Sequence, residues 1–371
     1  MTYINYILKK RITLKKVVVF CSIIGLYNLP LTAQNQSDAI LKSEFIYDEA
    51  PFPECHASTI AQTPMGLVTA WFGGTKEKNK DVEIWLSRKQ DENWSPPLAV
   101  ADGVQPDGSR HPCWNPVLYQ VPGGDLMLFF KVGPTPREWW GEMKTSSDHG
   151  ATWSEALKLP VGMIGPVKNK PVLLSDGTLL CPSSTEHEGW RVHFEWTADN
   201  GKTWNSSPPI NDGKTFNAIQ PSVLFHPDQK LQILCRSKEG VLLTSWSSDN
   251  GDNWSDLSPS GLPNPNSGTD AVTLSDGRHL LIYNHTTTKQ GKWGGPRSPL
   301  NVAISDNGKQ WSALAILESE PGEYSYPAII QSEDGLVHIV YTWKRKKVKY
   351  VVMDPSKFRS KPIVEGKWPE L

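Results

Sequence analysis

Six polar side chains recur along this chain at the start of apolar segments, 50 to 59 residues apart. They are His56, Asn115, Lys170, Gln220, Asp270 and Tyr326. Packing alone does not explain a polar residue at the same register six times, because each precedes residues typical of a buried strand. Histidine and tyrosine can transfer protons, and the lysine and amide side chains can bind an anion or a sugar hydroxyl. We therefore expect these residues to line one ligand pocket.

Further polar candidates lie near these positions. His111 precedes the second segment, and Lys168 lies two residues before Lys170. Arg191 and His193 share one face of an alternating segment, a pattern that an ordinary half-buried strand also produces. A pocket rich in lysine, arginine, histidine and tyrosine suits a substrate that carries a carboxylate or a sulfate, because guanidinium groups bind such anions with two hydrogen bonds.

A turn motif of a second kind is repeated between these segments. SSDHGATW at 146–153 is matched at 197–204 and 247–254, and more weakly at 304–311 and 87–94. The aspartate can accept hydrogen bonds from backbone amides of a tight turn, glycine supplies a positive φ, and tryptophan packs beneath. We interpret these motifs as structural turns, so their aspartates are not expected to be catalytic.

The two alternating elements predict the architecture. Each of the six units offers short strands separated by turn residues, and helical periodicity is absent. Repeats of this length with four strands are typical of propeller blades. We therefore predict an all-β, six-bladed β-propeller that occupies residues 34–371 as a single catalytic domain. The segment 44–49 is expected to close the ring by joining the last blade.

The turn repeat resembles the Asp-box, or BNR repeat, of the sialidase superfamily, whose members are six-bladed propellers. The resemblance implies that Arg236, in LCRSKEG, and Arg297, in GPRSPLN, bind the substrate carboxylate. It also implies Tyr324, in EYSYPA, as the catalytic tyrosine and Asp81, in DVEIWLSR, as an acid/base.

Two positions depart from the sialidase pattern. The first of three carboxylate-binding arginines is missing, because Glu54-Cys55-His56 stands where an Arg-Ile-Pro run is expected. The glutamate that normally pairs with the tyrosine is matched by Gln220. Glutamine cannot take a proton from tyrosine, so the usual nucleophile would lack its activation. These departures argue against a true sialidase.

Three functions are consistent with these residues. The first is elimination at a uronic acid at the non-reducing end of an acidic oligosaccharide, with or without sulfate groups, by a lyase or a dehydratase. Arg236 and Arg297 would neutralise the carboxylate, Tyr324 or His56 would abstract a proton, and the leaving oxygen would take a proton from Tyr326, His111 or His193. The second is a sialidase-like exo-glycosidase, and the third is a non-catalytic glycan-binding propeller.

The remaining features concern export and partners. Residues 1–33 combine a basic start, a short apolar run and Leu31-Thr32-Ala33, which predicts a cleaved secretory signal peptide and a periplasmic or secreted protein, with no membrane segment after cleavage. No metal or cofactor motif is visible, and nothing resembles a nucleic-acid module. The four cysteines that remain after cleavage could form a bridge or stay free. The basic run 344–347 is interpreted as a solvated outer strand.

Overall fold

The computed structural model describes residues 38–288 and 292–371, which form six antiparallel sheets, each one blade of a propeller. Blades are numbered along the chain, and their strands are given from the inner to the outer position. Blade 1 contains Glu54–Thr63, Gly66–Gly74 and Glu83–Gln90, with Asn93–Trp94 and Leu98–Ala101 both paired to the third strand. Blade 2 contains Cys113–Gln120, Leu126–Val132, Trp140–Ser146 and Leu157–Lys158, and blade 3 contains Val172–Leu173, Leu179–Thr185, Arg191–Thr197 and Asn205–Ser206.

The other three blades repeat this arrangement. Blade 4 contains Ala218–Phe225, Leu231–Ser237, Val241–Ser247 and Ser258–Pro263. Blade 5 contains Asp270–Thr273, His279–Tyr283, Leu300–Ser305, Ser312–Glu318 and a fifth strand, Lys361–Pro362. Blade 6 contains Tyr324–Gln331, Val337–Trp343, Lys347–Met353 and Ile40–Phe45, and a 3-10 helix follows at Pro355–Lys357. The predicted all-β, six-bladed propeller is confirmed.

The outer strand of blade 6 comes from the other end of the described chain. Ile40–Phe45 pairs antiparallel with Lys347–Met353, with Ser43 opposite Val351. The prediction that this part of the chain closes the ring is confirmed, although the strand occupies Ile40–Phe45 rather than 44–49.

The buried apolar side chains of the described residues fall into six clusters, and each cluster lies between two neighbouring blades. This follows from the alternation of side chains along each strand, which gives every sheet two apolar faces. Four of the six clusters contain one cysteine each. All four thiols are buried and free: Cys55, Cys113, Cys181 and Cys235. Burial raises the pKa of these thiols.

The repeated turns join the third and outer strands of their blades. Asp148 accepts hydrogen bonds from Ser146 Oγ, from Thr152 N at 2.8 Å and from Thr152 Oγ1 at 2.6 Å. Asp199 and Asp249 make the same set of contacts. In the weaker copy at 304–311, Asn307 takes the place of the aspartate. All of these acceptor atoms are used within their own turns.

Backbone pairing sets the order of side chains along the central channel. In blades 1, 2, 4 and 6 the inner strand is bulged, and the bulge contains a residue with positive φ: Ala57, Asn115, Gln220 and Tyr326. In blades 3 and 5, Lys168 and Gly268 lie as many residues before the first hairpin of their blade as these four residues do in theirs. We call these six residues the rim layer. His56 therefore lies one residue before the rim layer, and Lys170 and Asp270 lie two residues beyond it.

Beneath the rim layer, Asp270 connects four blades. Its carboxylate accepts hydrogen bonds from Lys170 Nζ at 2.9 Å, Ser222 Oγ at 3.1 Å, Ile329 N at 3.0 Å and Ala271 N at 2.8 Å. The side chain is 2% exposed. A buried carboxylate with this set of donors is a structural connection, because its acceptor sites are used by the protein itself.

The predicted signal peptide, residues 1–33, lies outside the described residues. Within the described residues, no helix has the length and apolar character needed to cross a membrane.

Replacement of Asp270 tests this connection. Asp270→Ala leaves Lys170 and the Ile329 amide without their shared acceptor, so we expect a loss of about 3 kcal/mol or more in the free energy of unfolding, measured by urea denaturation. Asp276→Ala is the matched control, because Asp276 forms an exposed ion pair with Arg278 and should cost less than about 1 kcal/mol. Equal losses for the two variants would contradict the structural role.

His338 predicts a pH dependence of stability. Its Nε2 lies 2.7 Å from Ser332 Oγ and its Nδ1 lies 2.7 Å from Tyr350 OH. Burial lowers the pKa of His338 to about 4, although Asp334 acts in the opposite direction. The pKa of His338 in the folded state is below its unfolded value of about 6.5. Its contribution to the free energy of unfolding is therefore fully present above pH 6.5 and is lost as the pH falls towards 4. Each unit of difference between the two pKa values corresponds to about 1.4 kcal/mol.

The measurement is urea denaturation of wild type and His338→Gln at several pH values between 4 and 7. We expect a shallower fall in the free energy of unfolding for the variant. Identical slopes would exclude His338 as a source of the pH dependence.

Candidate functional site

Tyr326 is the half-buried tyrosine of the rim layer, and its hydroxyl oxygen lies between two donors. Arg236 Nη1 donates to it at 3.0 Å and Gln220 Nε2 donates to it at 3.1 Å. Because both lone pairs of this oxygen are engaged by donors, the hydroxyl proton is free to be donated elsewhere. A guanidinium at this distance also stabilises negative charge on the oxygen. The arrangement therefore supports proton transfer at Tyr326.

Tyr324, predicted as the catalytic tyrosine, occupies a different environment. It is 1% exposed and belongs to the apolar cluster between blades 5 and 6. Burial and the nearby carboxylates of Glu318 and Glu320 raise its pKa. The bulge between Ser325 and Ala328 separates the two tyrosines, so Tyr326 rather than Tyr324 is the partner of Gln220.

Arg236 is held in a fixed orientation. Asn266 Oδ1 accepts hydrogen bonds from Nε at 3.1 Å and from Nη2 at 2.9 Å, while Nη1 also donates to Gln220 Oε1 at 3.3 Å. The guanidinium carbon lies 5.2 Å from the ring centre of Trp190. Because both edges of the guanidinium are used, Arg236 directs its charge at Tyr326 rather than presenting a free fork.

A chain of alternating charges lies in loops on the same face of the propeller as Tyr326. These loops join the second and third strands of blades 1, 5 and 6 or precede the inner strand of blade 6. Arg297 Nη1 donates to Glu323 at 2.9 Å, Arg345 Nε donates to the same carboxylate at 2.9 Å, and Arg345 Nη1 donates to Glu77 at 2.5 Å. Burial, followed by the charge of Arg236, lowers the pKa of Arg297. The site thus contains three arginines, of which Arg236 and Arg297 were predicted.

Arg345 was missed because the basic run 344–347 was interpreted as a solvated outer strand. The run instead turns between the second and third strands of blade 6, with positive φ at Lys344 and Arg345. The Arg345 carbonyl accepts a hydrogen bond from Cys55 N at 2.8 Å. Arg345 therefore lies beside the segment that lacks the expected first arginine, a proximity that depends on ring closure.

His56 lies behind Tyr326. The two ring centres are 4.2 Å apart, and Nδ1 lies 3.2 Å from Thr342 Oγ1. Burial, followed by the charges of Arg345, Arg297, Arg236 and Lys168, holds the pKa of His56 well below its usual value. At 3% exposure, His56 is a neutral ring that supports Tyr326.

Glu186 is a second group that sequence reasoning missed. It accepts a hydrogen bond from Trp190 Nε1 at 2.9 Å, and Trp190 packs on Arg236. Burial raises the pKa of Glu186, although the charge of Arg236 acts in the opposite direction. The segment EHEGW contains Glu186 two residues before Glu188, and only the fold distinguishes the two.

Four other predicted residues belong to the channel. Lys168 Nζ donates to Asn169 Oδ1 at 2.8 Å, to Thr269 O at 2.7 Å and to Pro327 O. Burial lowers the pKa of Lys168 to about 7, and the three acceptors match the three N–H bonds of its ammonium form. Lys170 and Asp270 pair with each other below the rim layer. Asn115 is in the rim layer and is 5% exposed.

Four predicted residues lie away from Tyr326. His111 packs edge-on against Trp140, with ring centres 5.4 Å apart. His193 lies 3.0 Å from Glu195, whose carboxylate accepts hydrogen bonds from the Ile164 and Gly165 amides. Asp81 accepts hydrogen bonds from Thr75 N and Oγ1, and Arg191 pairs with Glu188. Each of these four side chains has its contacts elsewhere, and the structure brings none of them into contact with Tyr326.

The described part of the chain contains no group of three or more histidine, cysteine or acidic side chains arranged to hold a metal ion.

Comparisons with known proteins agree with the fold. A family model described as a BNR repeat-like domain matches residues 66–339. No curated protein sequence matches the chain. A similar solved structure is that of a protein of unknown function from Dyadobacter fermentans, with 16% identity, a TM-score of 0.68, and an alignment that covers 85% of this chain and 99% of that chain. The Hadza microbial sialidase Hz136 has 15% identity and a TM-score of 0.71, with 85% of this chain and 69% of that chain covered. The intramolecular trans-sialidase from Ruminococcus gnavus, in complex with oseltamivir carboxylate, has 14% identity and a TM-score of 0.68, with 88% of this chain and 100% of that chain covered. The chain therefore belongs to the BNR repeat-like domain family, and it has the six-bladed propeller fold of the sialidases.

Proposed function

We propose that this protein is a carbohydrate-active enzyme that eliminates a group from C4 of a uronic acid at the non-reducing end of an acidic oligosaccharide. The observation that carries the proposal is the Tyr326 oxygen, which accepts hydrogen bonds from Arg236 and from the amide of Gln220. Loss of water from the free 4-OH of a terminal uronic acid would make the enzyme a dehydratase. Loss of the terminal sugar as an alkoxide from O4 of the uronic acid next to it would make the enzyme a lyase.

We assign the substrate carboxylate to the part of the site that contains Arg297. Arg297 is the principal cation for this group, because Arg236 uses both edges of its guanidinium within the protein. Arg345 holds Glu323 from the other side and so orients Arg297. The guanidinium neutralises the negative charge of the substrate carboxylate, and this makes the proton on the adjacent C5 more acidic.

Tyr326 then transfers one proton between two positions on the sugar. Arg236 and Gln220 stabilise its phenolate, which takes the C5 proton. The C5–H electron pair becomes the second bond between C4 and C5 as the C4–O bond breaks. The leaving oxygen takes the proton back from Tyr326, which restores the phenolate. His56 packs against the ring and positions it.

The amide of Gln220 favours elimination over retaining hydrolysis. A tyrosine nucleophile needs a carboxylate to remove its proton, and an amide donates a hydrogen bond without accepting that proton. An exo-glycosidase that hydrolyses an acidic terminal sugar is the second candidate, favoured by the sialidases among the similar structures. A glycan-binding propeller without activity is the third. We also propose an exported, periplasmic or secreted location, from the sequence of residues 1–33.

Incubation with saturated uronic-acid oligosaccharides distinguishes the three functions. Elimination forms a C4–C5 double bond conjugated to the carboxylate, so we expect far-ultraviolet absorbance to rise with time. Release of a saturated monosaccharide without this absorbance would refute elimination and support the glycosidase. Binding of the oligosaccharides with neither product would leave the binding propeller.

Two neighbouring tyrosines provide a matched pair of variants. Tyr326→Phe removes the proton-transferring oxygen, so we expect kcat to fall by about 10² to 10⁴-fold with the fold retained in circular dichroism. Tyr324→Phe alters a core tyrosine and should leave kcat near the wild-type value. The reverse result, with activity lost only in Tyr324→Phe, would return the catalytic role to Tyr324.

A further inference from the structure

A cleft of about 530 Å³ lies on the same face of the propeller as Tyr326, between the loops of blades 2 and 3. The loop that joins the second and third strands of blade 2 contributes Arg137, Trp139 and Trp140. The outer strand of this blade contributes Lys158, and the segment that follows it contributes the fully exposed Val161. The volume is in the range of sites for small ligands.

The walls of the cleft suit a sugar ring. Trp139 packs edge-on against buried Trp114, with ring centres 6.0 Å apart, and His111 packs edge-on against Trp140. Trp140 Nε1 also donates to Glu142 at 2.7 Å. Both indoles are therefore held firmly while staying partly exposed, and aromatic faces held in this way can contact the apolar face of a sugar at low entropic cost.

The charges of the cleft suit an anion. Arg137 is exposed, and the Lys158 ammonium lies 4.4 Å from the centre of the Trp140 ring. Among the described residues that line the cleft, none is an aspartate or a glutamate. The charged side chains that line the cleft are therefore both cations, which can bind an anionic group directly.

The cleft continues towards the proposed catalytic site. Thr185 and His187 line it, and between them in the chain lies Glu186, which accepts a hydrogen bond from Trp190. The charges of Arg236 and Arg137 both act on this carboxyl group. A glycan that extends from Tyr326 past Arg236 would therefore reach the cleft next.

We propose that this cleft is a subsite for the second sugar of the substrate, and that it selects a sugar bearing a sulfate ester or a carboxylate. The inference rests on the proposed function, because it takes the terminal sugar to lie at Tyr326. Arg137 and Lys158 bind the anionic group, and Trp139 and Trp140 contact the ring.

Binding measurements in an inactive background test this subsite. Tyr326→Phe protein would be applied to an array of saturated uronic-acid oligosaccharides that differ only in the anionic group of the second sugar: sulfate, carboxylate or none. We expect retention of the charged members. Addition of Arg137→Gln and Lys158→Gln should weaken their binding at least about tenfold, with little change for the neutral members.

Lys309→Gln is the matched control, because Lys309 is also a lysine whose ammonium lies near a tryptophan ring but is outside the cleft. Lys309 belongs to blade 5, and its ammonium lies 5.2 Å from the ring centre of Trp246 in blade 4. It should leave binding unchanged. Equal binding of charged and neutral members, unchanged binding after the double substitution, or no binding to any member would overturn the subsite. Charge-dependent binding together with an absence of elimination by wild type would refute the proposed reaction while supporting the subsite.

Discussion

The buried carboxylate of Asp270 is the interaction on which the geometry of the channel depends. Its four donors come from blades 3, 4, 5 and 6, so one side chain sets how closely four inner strands approach one another. The rim layer lies directly above it. Lys168 adds a second connection, from blade 3 to blades 5 and 6. Tyr326, Gln220 and Arg236 are thus placed by a rigid hub rather than by mobile loops.

The fold could be predicted from sequence because its signals are local. Each Asp-turn is complete within eight residues, and the strand pairs are separated by short hairpins. The candidate site was predicted only in part. Gln220, Arg236, Arg297 and Tyr326 were all predicted, but the proton abstraction was assigned to Tyr324 or His56. The bulge at Tyr326 places this tyrosine, and not Tyr324, beside Gln220. Spacing along a strand does not reveal a bulge, because the extra residue looks like any other.

Partners from distant segments were beyond sequence reasoning. Arg345 and Glu77 are 268 residues apart, and nothing in either segment indicates the other. Glu186 has ordinary neighbours in the chain and acquires its environment from Trp190 and Arg236. The resulting site keeps the cations of an anion-binding propeller but pairs its tyrosine with an amide. An amide cannot take a proton from the tyrosine, and this is why the proposed reaction uses Tyr326 for proton transfer rather than as a nucleophile.

Closure of blade 6 by Ile40–Phe45 also has a consequence for biosynthesis. Ser43 finds its partner Val351 only after the segment around Val351 has left the ribosome, and contacts of such high sequence separation form slowly. The ring stays open, with one edge of blade 6 unpaired, until then. An unpaired strand edge can pair with a strand of another chain, so closure of blade 6 also protects the protein from association through that edge.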